Sequence, residues 1–205
     1  MKRILYLAVA IALQLSLLAT ISIAADTSSE ARKVLDKAVA KANINKGATA
    51  NFTISGGKIG NRSGSITIKG NKFNARTSGA IMWYNGKTQW VYNSKSDEVN
   101  VSTPNAAQQQ SMNPYTFLNI YKQGYTMSLT KASSGKQVHL VGKGKSISEM
   151  YILIDGNYVI KQVKMLQKGQ WVTINISNFR QAKVSDNAFT FNPKDYPKAE
   201  VIDLR

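Results

Sequence analysis

Cysteine is absent from this 205-residue chain, and histidine occurs once. Without cysteine the fold has no disulfide bond and no thiol nucleophile, so its stability must come from apolar burial. A single histidine, His139, excludes a histidine-rich metal site or a pair of catalytic histidines. It lies between Val138 and Leu140, where strand alternation predicts a polar, solvent-facing position. The sequence therefore predicts neither a metal nor a cofactor.

Acidic residues are also scarce, with 11 Asp and Glu in the chain. Asp97 and Glu98 are the one adjacent pair, and they fall in a predicted turn that should face solvent. An acid/base dyad needs two carboxyl groups that face one substrate in different environments. The segment GKGKS at 142–146 ends like a phosphate-binding loop, but the spacing would place the first glycine at His139. We therefore predict that the protein is not an enzyme.

The N-terminus has the three parts of a secretory signal peptide. Lys2 and Arg3 precede an apolar run over residues 4–18, and small residues lie at −3 and −1 of a cut after Ala24. Polar residues interrupt the run too early for a membrane anchor of ~20 apolar residues. No cysteine follows, which excludes a lipid-modified lipoprotein. We predict a signal peptide over 1–24, one domain over 25–205 and a periplasmic location.

Positive charge dominates the composition, with 27 Lys and Arg and a net charge of +16. Cleavage after residue 24 removes two basic residues and no acid, which leaves +14. Such a charge favours anionic partners: membrane surfaces, lipid headgroups or nucleic acid. Because no run of five or six basic residues occurs, a solubilising cationic surface is an equal alternative to a dedicated patch.

Helical periodicity follows the signal peptide and then changes to strand periodicity. Thr27 and Glu30 form a predicted capping box. Apolar residues recur at helical spacing after it, at Ala31, Val34, Leu35, Ala38, Val39 and Ala42. Gly47 is the predicted end of this amphipathic helix. From Ala48 the period is two, and a second short helix is predicted from Pro114 to Tyr121.

About eleven strands, joined mostly by short turns, are predicted after residue 48. The predicted fold class is mainly β (α+β), with one meandering antiparallel sheet and helices on one face. A sheet of this size should curl, which makes a cup with an apolar inner face.

The stretch AIMWYNGKTQWVYN at 80–93 is the most aromatic of these hairpins. Asn85-Gly86 predicts a two-residue turn that pairs Tyr84 with Lys87. One face of the ribbon then collects Ile81, Trp83, Thr88, Trp90 and Tyr92. Two interpretations stay open: both faces are covered core, or the aromatic face lines a cavity for an apolar ligand.

Four segments, in order along the chain, carry a family resemblance. They are GSITIK at 64–69 followed by Phe73, GKTQWVYN at 86–93, PYTFL at 114–118 and FTFNP at 189–193, the last similar to a closing strand. Together they resemble the periplasmic outer-membrane lipoprotein carriers, the LolA-like proteins. The family's Arg-Pro before the phenylalanine strand is replaced here by Lys69-Gly70-Asn71. Lys69 or Lys72 is the candidate substitute for that arginine.

This resemblance implies an open half-barrel with helices covering its mouth. Its cavity would hold acylated lipoproteins from an inner-membrane releasing complex and deliver them, as a monomeric carrier chaperone, to an outer-membrane acceptor. The predicted cavity residues are Phe52, Ile66, Ile68, Phe73, Ile81, Trp83, Trp90 and Tyr92. The predicted lid residues are Val34, Leu35, Ala38, Phe117 and Leu118.

Two alternatives to this function are open. In the first, the same cup carries a glycolipid or another amphiphile. In the second, the hairpin aromatics are all core, and the positive charge binds an acidic polymer. Nucleic acid is not an expected partner.

Overall fold

The structure is a computed structural model that describes residues 27–57, 60–105, 108–109 and 119–205. The predicted signal peptide lies outside these residues, as do Phe117 and Leu118 of the predicted lid. No helix in the described ranges is long and apolar enough to cross a bilayer.

Helix α1 covers residues 27–42. The apolar stripe of the sequence is its buried side, since Ala31, Val34, Leu35 and Ala38 are each at most 3% exposed. The amphipathic helix is therefore confirmed, but its predicted end at Gly47 is wrong. Asn43 adopts a left-handed φ of 42° and ends the helix earlier, a role for which asparagine is the second choice after glycine.

Within the described ranges, twelve strands form one sheet in the order β12-β6-β5-β4-β3-β2-β1-β11-β10-β9-β8-β7. Their bounds are β1 Ala48–Gly56, β2 Arg62–Lys69, β3 Lys72–Thr77, β4 Ala80–Tyr84, β5 Gln89–Asn93, β6 Glu98–Ser102, β7 Thr126–Ala132, β8 Gly135–Val141, β9 Ile147–Ile154, β10 Ile160–Gln167, β11 Gln170–Gln181 and β12 Glu200–Asp203. The sheet is open, because β12 and β7 are its two edges. The mainly β, open-sheet prediction is confirmed.

The topology differs from one continuous meander. Strands β1–β6 and β7–β11 form two antiparallel meanders, and pairing of β1 with β11 joins them in the middle of the sheet. The twelfth strand, β12, was not predicted and pairs in parallel with β6. Its four residues are too few to show a period, so only their tertiary pairing defines them as a strand.

The β4–β5 hairpin has a four-residue loop rather than the predicted two-residue turn. The Asn85 side chain accepts hydrogen bonds from the backbone N–H groups of Lys87 and Thr88, at 3.0 and 2.9 Å. Tyr84 therefore pairs with Gln89, and Trp83 with Trp90. Because this register differs by two residues from the predicted one, the strand residues keep their predicted faces.

Residues 182–205, which we call the C-terminal segment, do not contain the predicted closing strand at 189–193. Instead 3-10 turns form at Asp186–Phe189 and Pro193–Asp195. Asn192 caps the second turn by accepting from the Lys194 N–H, and proline at its first position has no N–H to donate to a strand. Phe189 and Phe191 are nevertheless buried, at 0% and 6% exposure.

The two faces of the sheet are covered by different parts of the chain. We call the face that contacts α1 the helix-side face, and its opposite the outer face. Across β3–β6, the outer face packs against the C-terminal segment in a cluster that includes Trp83, Val99, Val101 and Phe191.

Candidate functional site

The helix-side face of β7–β11 is the apolar floor beneath α1. Its buried side chains are Met127, Val138, Leu140, Ile147, Met150, Ile152, Ile154, Met165 and Val172, and they form one cluster with the buried stripe of α1. None of these floor residues was among the predicted cavity residues. Their signal was present in β9, where the buried residues Met150, Ile152 and Ile154 alternate with less buried ones.

Apolar residues continue beyond the fully buried floor into the middle of the sheet. Val163 pairs with Ile174, and Ile174 pairs with Ile54 on the neighbouring strand. All three are only partly buried although they pack against the floor. The helix-side face thus carries a continuous apolar row that its described cover leaves partly exposed.

A second apolar cluster lies beyond the end of α1, on β1–β4. It contains Ile44, Ala48, Ile68, Phe73 and Tyr84, and the rings of Phe73 and Tyr84 are 5.6 Å apart. The N–H of Gly70 donates to the Ile44 carbonyl at 2.9 Å, which attaches the β2–β3 turn to the chain that leaves the helix. Burial raises the pKa of Tyr84, whose hydroxyl donates to the Gly86 carbonyl.

Side-chain contacts hold α1 against the floor on β7–β11 at two places. The buried Tyr121 hydroxyl donates to Asp36 Oδ1 at 2.5 Å, and burial together with this bond raises the pKa of Tyr121. Lys37 Nζ lies 5.1 Å from the ring centre of Tyr158 and 3.4 Å from its hydroxyl. Both contacts join an exposed position of α1 to the β7–β11 half of the molecule.

The eight predicted cavity residues are not brought together. Ile66, Ile68 and Phe73 belong to the helix-side cluster on β1–β4. Phe52 is partly buried on β1, opposite Gly64. The other four, Ile81, Trp83, Trp90 and Tyr92, lie on the outer face in the cluster with Phe191 and Tyr196.

The predicted lid residues divide between described and undescribed parts of the chain. Val34, Leu35 and Ala38 are on the buried side of α1. Lys69 and Lys72, the candidate substitutes for the family arginine, contact the C-terminal segment instead of α1. Their ammonium groups lie 3.1 and 3.2 Å from the carboxylate oxygens of Asp186.

Open depressions of the described surface lie apart from the apolar floor. One of about 530 Å³ is lined mainly by polar residues of β1–β3, among them Ser63, Ser65 and Arg76. Another, of about 260 Å³, lies between Trp83 and the C-terminal segment. The floor itself is filled by α1, so the described arrangement is a closed one.

The described arrangement is an apolar sheet face covered by an amphipathic helix. The particular family follows from its family model, described as outer membrane lipoprotein carrier protein LolA, which matches residues 21–170. The chain belongs to this family of carriers, and the predicted family resemblance is confirmed.

Solved structures resemble the chain at low sequence identity. An uncharacterized conserved protein from Thermus thermophilus is 16% identical with a TM-score of 0.57, covering 85% of this chain and 99% of its own. A LolA superfamily protein from Nitrosomonas europaea is 11% identical with a TM-score of 0.43, covering 78% and 97%. A putative outer membrane lipoprotein-sorting protein domain from Vibrio parahaemolyticus is 12% identical with a TM-score of 0.42, covering 78% and 97%. No curated protein sequence matches the chain.

Proposed function

We propose that the protein is a periplasmic carrier that binds the acyl chains of lipoproteins on its helix-side face and moves them from the inner to the outer membrane. The supporting observation is an apolar floor on β7–β11 that is closed by one helix. Release from an inner-membrane complex and delivery to an outer-membrane acceptor complete the cycle.

Opening the floor requires α1 to leave it. Burial of Val34 and Leu35 contributes about 5 kcal/mol to holding the helix down, at ~1.5–3 kcal/mol for each side chain. One sixteen-carbon acyl chain offers on the order of 10 kcal/mol gross, at ~0.8 kcal/mol for each CH₂. Binding of the acyl chain can therefore displace α1. The free energy lost when α1 leaves the floor offsets part of the free energy of acyl burial, which keeps binding reversible.

The floor is also suited to a ligand without fixed shape. Methionines at 127, 150 and 165 are part of it, and their unbranched side chains adapt to different neighbours. The partly exposed row Ile54, Ile174 and Val163 extends the floor toward Ile66 and Phe73 on β1–β4. In this proposal the acyl chains lie along that path, and the outer-face residues Trp83 and Trp90 are structural.

The contact between Tyr121 and Asp36 provides a test of α1 as the lid. Tyr121→Phe removes one hydrogen bond to an exposed carboxylate, worth about 1 kcal/mol net, so opening becomes easier. We expect affinity for a triacylated peptide to rise about five-fold in the variant, measured by fluorescence competition. Tyr125→Phe is the matched control, because that hydroxyl donates to the Ile147 carbonyl on the sheet rather than to α1.

The same titration tests the function itself. A triacylated peptide that binds the wild type more tightly than a free phospholipid supports a lipoprotein carrier. Equal binding of both ligands would indicate a general amphiphile carrier. If neither ligand binds the wild type or Tyr121→Phe, the proposed function is wrong.

A further inference from the structure

The outer face of β7–β11 carries an aromatic and aliphatic surface that the C-terminal segment does not reach. One cross-strand row runs from Val141 through Glu149 and Leu166 to Trp171. Val141 and Trp171 are each 36% exposed, which places them among the few large apolar side chains exposed in the described residues. We call this surface the Trp171 patch.

The neighbouring row gives the patch a fixed shape. His139 stacks on Tyr151 with ring centres 4.3 Å apart, and Tyr151 lies 6.0 Å from Trp171. Glu149 Oε1 accepts from the Tyr151 hydroxyl at 2.7 Å and lies 2.9 Å from His139 Nε2. Glu149, the acidic residue of these rows, is therefore already engaged by its neighbours.

One lysine lies on the patch, and two more lie in the turns at its end. Lys164 Nζ lies 4.7 Å from the ring centre of Trp171. Lys143 and Lys168 are exposed in the β8–β9 and β10–β11 turns. These turns lie at the same end of the sheet, because Ile147 at the start of β9 pairs with Gln167 at the end of β10. The patch thus combines exposed apolar side chains with the ammonium group of Lys164, and two exposed lysines lie in the adjacent turns.

We propose that the Trp171 patch docks the protein on an anionic lipid surface. Tryptophan suits the boundary between headgroups and acyl chains, since it has an apolar body and one polar N–H. Lysines near an anionic leaflet each add about 1 kcal/mol of attraction. The net charge, +14 after signal-peptide removal, makes such a leaflet the complementary partner.

This site is separate from the proposed acyl-binding face. Trp171 is on the outer face, whereas its neighbour Val172 belongs to the floor beneath α1. Docking through the outer face leaves the helix-side face free to open. Vesicle binding and acyl-peptide binding can therefore fail independently.

The test is flotation of the protein after signal-peptide removal with vesicles of equal parts phosphatidylglycerol and phosphatidylethanolamine. We expect binding to these vesicles and not to phosphatidylcholine vesicles, and weakening between about 50 and 500 mM salt. A triple variant, Lys143→Gln, Lys164→Gln and Lys168→Gln, should lose about 100-fold in partitioning, or about five-fold for each lysine.

A matched triple variant separates a local patch from overall charge. Lys183→Gln, Lys194→Gln and Lys198→Gln remove the same charge from exposed positions of the C-terminal segment, and should leave partitioning within about five-fold. Trp171→Phe should also lose the quenching of tryptophan fluorescence by brominated lipid. Equal losses in the two triple variants, or no binding of the wild type to anionic vesicles, would overturn the proposal.

Discussion

Two tryptophans on the outer face show that the two halves of the sheet are covered to different extents. Trp83 on β4 is 4% exposed, whereas Trp171 on β11 is 36% exposed. The rings of Phe191 and Tyr196 from the C-terminal segment lie 5.5 and 5.6 Å from Trp83. Trp171 has Tyr151 and Lys164 for neighbours and keeps one side in solvent.

This difference shows that residue type does not decide whether an aromatic side chain is core or surface. Both tryptophans occupy outward positions of strands, and both are next to an apolar position on the opposite face. Trp83 is buried because 24 residues after β11 return across β3–β6. Trp171 on β11 has no such cover in the described residues and stays accessible to a partner.

The largest effect is expected from truncating the covered tryptophan. Trp83→Ala removes the centre of an aromatic cluster, and should lower the free energy of unfolding by about 3–5 kcal/mol. Trp171→Ala should cost about 1 kcal/mol, because its ring is partly solvated already. Urea denaturation of both variants measures the difference. Similar losses of unfolding free energy in the two variants would show that the outer face is not divided into a covered half and an exposed half.

A smaller effect is expected from removing β12, which holds the end of the C-terminal segment on β6. A chain that ends at Ala199 loses the parallel pairing of Glu200–Asp203 with β6. The free energy of unfolding should fall by about 2 kcal/mol, because the few backbone hydrogen bonds of this edge strand contribute about 0.5–1.5 kcal/mol each after exchange with water. Size-exclusion chromatography should also show some self-association through the uncovered edge.

Deletion of Arg205 alone is the control for this truncation. It removes the ion pair with Asp203 but leaves β12 in place, so stability should change little. An unchanged urea midpoint for the chain ending at Ala199 would mean that β12 contributes nothing to covering β3–β6.

The smallest effect concerns Asp186, which attaches the C-terminal segment to β2 and β3. Hydrogen bonds from Lys69 and Lys72 lower the pKa of this carboxyl from its usual 3.8. Its contribution to stability is therefore present above the usual pKa, and is lost as the pH falls through the lower folded value. The difference in unfolding free energy between wild type and Asp186→Asn should shrink in acid.

Salt provides the control for the Asp186 prediction, because the side chain is exposed and screening should weaken the ion pairs. If the unfolding free energies of wild type and Asp186→Asn change with pH in the same way at both low and high salt, this role of Asp186 is contradicted.

Local patterns predicted most elements of the fold. The helical stripe of α1 and the alternating residues of β8 and β9 are visible without tertiary information, because burial on one side repeats at the period of the element. The hairpin loop was mispredicted because the Asn85 side chain favours a longer loop. The strand predicted at 189–193 is absent, and 3-10 turns lie at Asp186–Phe189 and Pro193–Asp195. The alternation of Phe189 and Phe191 indicated burial, but residues in turns can be buried as well as residues in strands.

The predicted cavity residues are divided between the two faces of the sheet. Ile66, Ile68 and Phe73 do lie on the helix-side face, while Trp83 and Trp90 lie on the other. Alternation shows which residues of one strand share a face, but it does not show which face meets the helix. The floor residues of β8–β10 were missed for the same reason.

Residue type and local order were enough to predict the amphipathic helix, the strand-rich fold, the high positive charge and the family. Pairing of β1 with β11, the cover of α1 over β7–β11 and the cover of the C-terminal segment over β3–β6 became visible in the folded chain alone. These arrangements depend on contacts between residues far apart in the sequence, as between Asp186 and Lys69, which are 117 positions apart. The same contacts make Trp83 part of the core and leave Trp171 on the surface.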